Sequence, residues 1–180
     1  MEADYFIPAE FILLRTKPKP VKAIKPKKGV SKVSSHGALI KRAHSIMRDI
    51  VMERDGRCVV DVPPLHGHTS TRQAGHLFAS TKGSVRFDLW NVHEQCSGCN
   101  KRHSYAPGTH YYIDWFVGRF GKEEYHRIFM ESNRVGSLKS YELEELIAQF
   151  KLIRARQLEG KDFRPYFTQT EILSGAWSTK

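Results

Sequence analysis

The chain of 180 residues carries 29 Lys and Arg against 19 Asp and Glu, a formal net charge of +10, with 40% hydrophobic and 27% charged residues. That balance is globular, the length fits one domain plus an arm, and the basic excess points to a polyanionic partner. There is no apolar run of the roughly 18 residues a membrane span needs. The first fifteen residues hold Glu2, Asp4 and Glu10 without a basic start, so a secretory signal is not expected. Three cysteines leave one over in any disulfide framework, and two are spaced as Cys-x-x-Cys, which favours a reduced, cytoplasmic setting and a metal.

In chain order, Arg15 to Lys32 holds eight basic residues and no acid, interleaved with Pro18, Pro20 and Pro26. Proline excludes a helix there, and an extended arm is expected, either lying along phosphates or serving as a solvated linker. From Ala38 to Met52 the apolar residues Leu39, Ile40, Ala43, Ile46, Met47, Ile50 and Val51 recur at helical spacing, and Asp55-Gly56 ends the run as a turn. Cys58 to Asn100 is rich in Gly, Pro and His and reads as a small ligand-braced core. Two strands are expected in it, Gln73–Ala79 and Val85–Leu89, around a Lys82-Gly83 turn. Helical patterns follow at Tyr112–Phe120, Glu123–Glu131 and Tyr141–Leu158, with Ser140 as the N-cap of the last and Gly160 ending it. The organisation is thus an arm at 1–37, a core with flanking helices at 38–160 and a tail at 161–180 whose structure is ambiguous.

Cys96-Ser97-Gly98-Cys99 is a thiolate pair with the spacing of a zinc knuckle, and Cys58 is the candidate third ligand. Asp61, three residues after Cys58, is the first choice for the fourth, with His66 and His68 as alternatives. Gly75-His76 sits on the first expected strand, Asn91 comes fifteen residues after His76, and Asn100 directly follows Cys99. Phosphodiester hydrolysis needs a base for the attacking water and a cation for the developing charge, and an imidazole near neutral pH suits the first task.

The register of His76, Asn91, Cys96, Cys99 and Asn100 resembles the HNH, or ββα-metal, nuclease module in a zinc-braced form, with Asn in place of the last His. The resemblance implies that His76 activates water, that Asn91 holds the loop and orients His76, and that Asn100 coordinates Mg²⁺ or Mn²⁺ at the scissile phosphate. His76 and Asn100 are then expected on opposite sides of one cation. Many members carry Asp before the histidine, where this chain has Gly75. Either Asp88, or less readily Glu94, completes the metal site, or Asn100 and phosphate oxygens hold the ion, or catalysis is lost.

A longer likeness runs from Leu39 to Leu158. Arg48-Asp49-Ile50-Val51-Met52-Glu53-Arg54-Asp55-Gly56-Arg57-Cys58, Gln73-Ala74-Gly75-His76, Arg86-Phe87-Asp88 and Asn91-Val92-His93-Glu94-Gln95-Cys96 are similar to the Rap/NinG family of phage recombination proteins. That family typically has Gly before the histidine. Its usual second Cys-x-x-Cys is here Cys58-Val59-Val60-Asp61, and Val62–Ser70 looks like an insertion. Cys-x-x-Cys-Asn is also similar to recombination endonuclease VII. The resemblance implies an α+β fold, a small zinc-braced ββα-metal core packed with flanking helices. It also implies a structure-selective endonuclease for Holliday junctions, D-loops or flaps, working in the cytoplasm of a bacterial host. Arg72, Arg86, Lys101 and Arg102 would flank the scissile phosphate, or form an ordinary basic surface, and His103 would assist or be exposed. Tyr111, Tyr112, Trp115, Phe116 and Phe120 are expected mostly in the core, and the last helices offer a homodimer interface.

Overall fold

The computed structural model describes residues 34–60, 68–104, 109–160, 163 and 165–179. Residues 1–33 of the expected arm, Asp61 and His66 lie outside them, while the last arm residues, His36 and Gly37, already belong to the first helix. Among the described residues, six α-helices and a two-stranded antiparallel sheet make an α+β fold: α1 (His36–Asp55), β1 (Arg72–His76), β2 (Val92–Cys96), α2 (Ser97–His103), α3 (Thr109–Phe120), α4 (Lys122–Ser132), α5 (Ser140–Glu159) and α6 (Gln169–Ser174). Among the described residues, no helix is long and apolar enough to cross a membrane.

α1 starts where the Ser35 hydroxyl accepts from the Ala38 amide at 3.3 Å, and it stops at Gly56, whose φ of 70° is left-handed backbone that glycine adopts without a Cβ clash. Asp55 is therefore the last helical residue rather than the first of a loop turn. Leu39, Ala43, Met47, Ile50 and Val51 bury one stripe of α1 against Leu143, Leu146, Ile147, Phe150 and Ile153 of α5. These two long helices run in the same direction, since His36 meets Ser140 at their starts and the Gln157 amide donates to Ile50 O near their ends. Lys139, not Ser140, is the N-cap of α5, because Glu142 reaches back to the Lys139 amide at 2.6 Å. The tail folds onto the same core: α6, a closing 3₁₀ turn and Phe167, Ile172 and Trp177 complete it. A second core of Leu77, Val85, Tyr112, Phe116 and Ile128 lies around α3 and α4.

The strand reading is half corrected. β1 overlaps the expected first strand, but Val85–Leu89 is not a strand. Val85, Asp88 and Asn91 each donate a backbone hydrogen bond to the carbonyl three residues back, at 3.0 to 3.2 Å, so the chain coils through successive turns from 82 to 91. The alternating burial of Val85, Phe87 and Leu89 mimics a strand pattern while the backbone winds. The second strand comes later, at Val92–Cys96, paired so that Gly75 faces His93 and Gln73 faces Gln95. Asn91 thus stands just before β2, not at a hairpin-to-helix junction.

Candidate metal centre

β2 runs straight into α2, and Cys96 is both its last residue and the helix N-cap, its Sγ accepting from the Cys99 amide at 3.4 Å. That turn aims two sulfurs the same way. The segment after α1 is tied to β2 by Val59 N–H donating to Glu94 O at 2.8 Å, which brings Cys58 alongside. From the other side, Thr69 accepts from the Gly98 amide at 3.2 Å and bonds the Ser97 hydroxyl at 2.7 Å, which seats His68. The ligand atoms of Cys58, His68, Cys96 and Cys99 all lie within 4.8 Å of one another, and His68 Nδ1 is 3.6 Å from both Cys96 Sγ and Cys99 Sγ. Tetrahedral zinc with bonds of about 2.3 Å to sulfur and 2.0 Å to nitrogen has ligand edges of about 3.5–3.8 Å, so this donor set fits zinc in a closed, structural site.

Burial and neighbouring groups shift the three thiols in different directions. Burial works against ionising Cys96, but amide hydrogen bonds from Thr69 and Cys99 and the His68 side chain outweigh it and bring the thiol down to about 5. Burial, with Cys96 beside it, pushes Cys99 up to about 12, and burial raises Cys58. His68, one of the three alternatives for the fourth ligand, lies with the sulfurs, while Asp61 and His66 are outside the described residues.

The histidine of the hairpin lies on another face. Successive strand residues point to opposite sides. Ala74 packs into the α1 core, and the His76 ring sits against His44 of α1, with ring centroids 5.8 Å apart, His44 in turn packing on Phe87. His76 Nε2 donates to the Arg86 carbonyl at 3.0 Å, which leaves Nδ1 as the basic nitrogen. Burial depresses the imidazole to about 4, partly opposed by that hydrogen bond, so the ring is neutral near pH 7.

Asn91 is fully buried and staples the turns: its Oδ1 accepts from the Phe78 amide at 2.8 Å, and its Nδ2 donates to Phe78 O and Val85 O at 3.0 Å. Its side-chain hydrogen bonds go to Phe78 and Val85 rather than to His76, and they hold the loop whose next residue, Arg86, bonds the ring. Asn100 projects from α2 over the opposite face of β1, its Nδ2 donating to Gln73 Oε1 at 2.8 Å. A Cβ on residue 75 would fall 2.9 Å from Asn100 Oδ1 and 2.7 Å from Gln95 Cδ, so with glycine there these two side chains pack close over the strand. His76 and Asn100 therefore diverge from the hairpin and are not brought together on one face.

The acids expected beside Asn100 are elsewhere. Asp88 is buried and accepts from the Trp90 amide at 2.8 Å, with Arg127 at 3.9 Å. Burial raises its carboxyl to about 7. Glu94 is wholly buried in a two-pronged pair with Arg72, at 2.5 Å for each prong. Arg72 is committed to that pair and to Met52 O. Arg86 donates to Ser80 O at 2.5 Å, Arg102 reaches Cys99 Sγ at 3.8 Å, His103 bonds Leu77 O at 3.1 Å, and Lys101 is exposed. Tyr112 and Phe116 are core residues, as aromatic residues at helical spacing predict.

Two features escaped the sequence reading. His44 carries no signal beyond its place on α1. Arg54-Asp55, read as helix end and turn, is a buried ion pair that organises the hairpin: Arg54 donates to Leu89 O and Val92 O at 2.7 Å, and Asp55 accepts from the Glu94 amide at 2.8 Å.

Residues 15–160 match the family described as Bacteriophage Lambda NinG protein. The chain belongs to the NinG family. The match spans the metal cluster, the hairpin and the helices through α5. No curated protein and no solved structure gives a significant match.

Proposed function

We propose that this NinG-family chain acts in recombination as a metal-dependent endonuclease for branched DNA, working in the cytoplasm of a bacterial host. The observation that carries the reading is His76, a neutral imidazole held by one nitrogen on the Arg86 carbonyl with the other left basic. In this role Nδ1 takes the proton of the attacking water, while the turns stapled by Asn91 keep the ring in place. Asn100 would hold a Mg²⁺ or Mn²⁺ ion, which would supply positive charge at the phosphate under attack. In-line attack needs base and cation on opposite sides of the phosphate. This reading requires one phosphate to reach His76 and Asn100 from the two faces of β1. The Cys58–His68–Cys96–Cys99 cluster holds a structural zinc and so fixes β2 to α2. The basic excess, with Lys101 and Arg102 beside Asn100, favours the DNA backbone. A homodimer would suit paired cuts at a four-way junction.

The experiment is to incubate zinc-loaded protein with four-way junction, flap and linear duplex in Mg²⁺ or Mn²⁺. Selective, chelator-sensitive cutting of the branched substrates is expected. Uncut substrates throughout would reject the reading.

One observation favours a second reading, a zinc-braced DNA-binding protein without catalysis: the Asn100 amide is already bonded to Gln73, and Gly75 supplies no acid. That protein would bind DNA with a steep salt dependence, equally well with His76→Ala, and nick nothing.

A further inference from the structure

α5 buries one face on α1, and its outward face carries a second pattern. Two rows repeat there every seven residues, Tyr141, Ala148 and Ala155 beside Glu144, Lys151 and Leu158, and all six residues are exposed. Positions seven apart stay on one side of a helix, as in the seam of a coiled coil. Tyr141 is 63% exposed, Leu158 65% and neighbouring Leu152 56%, and apolar side chains gathered on one face mark an interaction surface as scattered ones do not. The helix stands as a ridge between two grooves, one of about 480 Å³ against α1 that reaches Ile46, the other of about 600 Å³ against the closing turn that reaches Trp177. Ala155 lines both, so the ridge is low where a second helix would cross it. Among the described residues, neither the Glu144 nor the Lys151 side chain has a hydrogen-bond or ion-pair partner.

We propose that a second copy of this chain docks on this face, α5 against α5, antiparallel about a two-fold axis near Ala148. Charge selects the direction. The exposed acids Glu144 and Glu145 stand in the first half of the helix and exposed Lys151 in the second. Parallel copies would set like charges together, whereas antiparallel copies set Glu144 of each beside Lys151 of the other. The same crossing brings Tyr141 of each copy towards Leu158 of the other, and the alanines between let the helices approach. Two-fold symmetry makes every such contact twice, so the face is complementary to itself. The grooves on either side of the ridge leave room for the flanking side chains of the second copy. The inference rests on the homodimer named above and gives it a surface, but it needs neither His76 nor a catalytic metal.

The test is sedimentation of zinc-loaded full-length protein across micromolar concentrations, without DNA. Wild type should dimerise, and Glu144→Lys or Lys151→Glu alone should raise the dissociation constant about tenfold or more, because each sets two like-charge pairs across the axis. The double variant Glu144→Lys with Lys151→Glu should return to within about threefold of wild type, since the pairs are restored with their signs exchanged. Both positions are exposed, so zinc content and helicity should be the same in all four proteins. A wild type that stays monomeric, single variants that dimerise as wild type does, or a double variant as weak as the singles would each overturn the surface. A dimer with this charge pattern in a protein that cuts no DNA would keep the surface and remove the nuclease reading. Cutting of branched DNA by a monomeric wild type would do the reverse.

Discussion

His76 donates through Nε2 to the carbonyl of Arg86, ten residues further along the chain, and this bond fixes which nitrogen of the ring is basic. Burial places the folded-state pKa at about 4 against an ordinary 6.5. The sign follows directly. Between those values the unfolded chain binds a proton that the folded chain refuses, so stability is present above pH 6.5 and falls as the pH drops towards 4. His76→Gln, which cannot titrate, should show a shallower acid loss than wild type, by on the order of 2 kcal/mol, in urea denaturation across that range. Buried His93 shifts in the same direction and contributes equally to both proteins.

Metal removal tests the cluster. Zinc-loaded protein should contain one zinc per chain, and Cys96→Ser or His68→Ala should lower that content. Stripping the metal should lower the thermal midpoint by more than about 10 °C, because β2, α2 and the segment after α1 meet at the ligands and such sites couple metal binding to folding. A chelator-treated protein with an unchanged midpoint would remove the zinc site from this account.

Arg72 separates structure from DNA contact. Its guanidinium half faces solvent, while Glu94 beneath it is fully buried, so Arg72→Ala leaves a buried carboxylate short of its partner. Solvent reaching the gap moderates the loss, and a destabilisation of about 1–2 kcal/mol is expected, smaller in the double variant with Glu94→Gln. The salt slope of DNA binding should not change with Arg72→Ala but should fall by about one with exposed Lys101→Ala. Measured slopes in the opposite order would restore Arg72 as a phosphate contact.

Asp88 provides a pH prediction of the other sign. Its carboxyl is raised from 3.8 to about 7 by burial, so the folded state holds a proton that the unfolded chain has released, and stability declines as pH rises through that window. Asn keeps the oxygen that accepts from Trp90 and removes the charge. Asp88→Asn should therefore gain about 2 kcal/mol at pH 8 with Mn²⁺ uptake unaltered. Lost Mn²⁺ binding would return Asp88 to the metal site.

The helices were legible because Leu39, Ala43, Met47 and Ile50, and Leu143, Leu146, Phe150 and Ile153, fall at helical spacing and do bury one face each. The cysteines were legible because a two-residue spacing has few other uses. β2 was not, since Val92 to Cys96 is buried on both faces and carries polar residues that tertiary contacts draw inside: Glu94 pairs with Arg72, and His93 Nδ1 meets the Tyr112 hydroxyl. No periodicity marks such a strand, whereas the coiled Val85–Leu89 segment carries a false alternation. The fourth metal ligand and the separation of His76 from Asn100 depend on which face of the hairpin each residue meets. A register that places Asn91 before the second strand rather than after it could not be read from spacing alone.

The most direct measurement of the central claim is nicking of a labelled four-way junction by wild type and His76→Gln, both zinc-loaded, in Mn²⁺ near neutral pH. The account predicts cutting by wild type and a rate at least about 100-fold lower in the variant, with junction affinity and zinc content retained. Equal cutting by both proteins, or none by wild type, would contradict it.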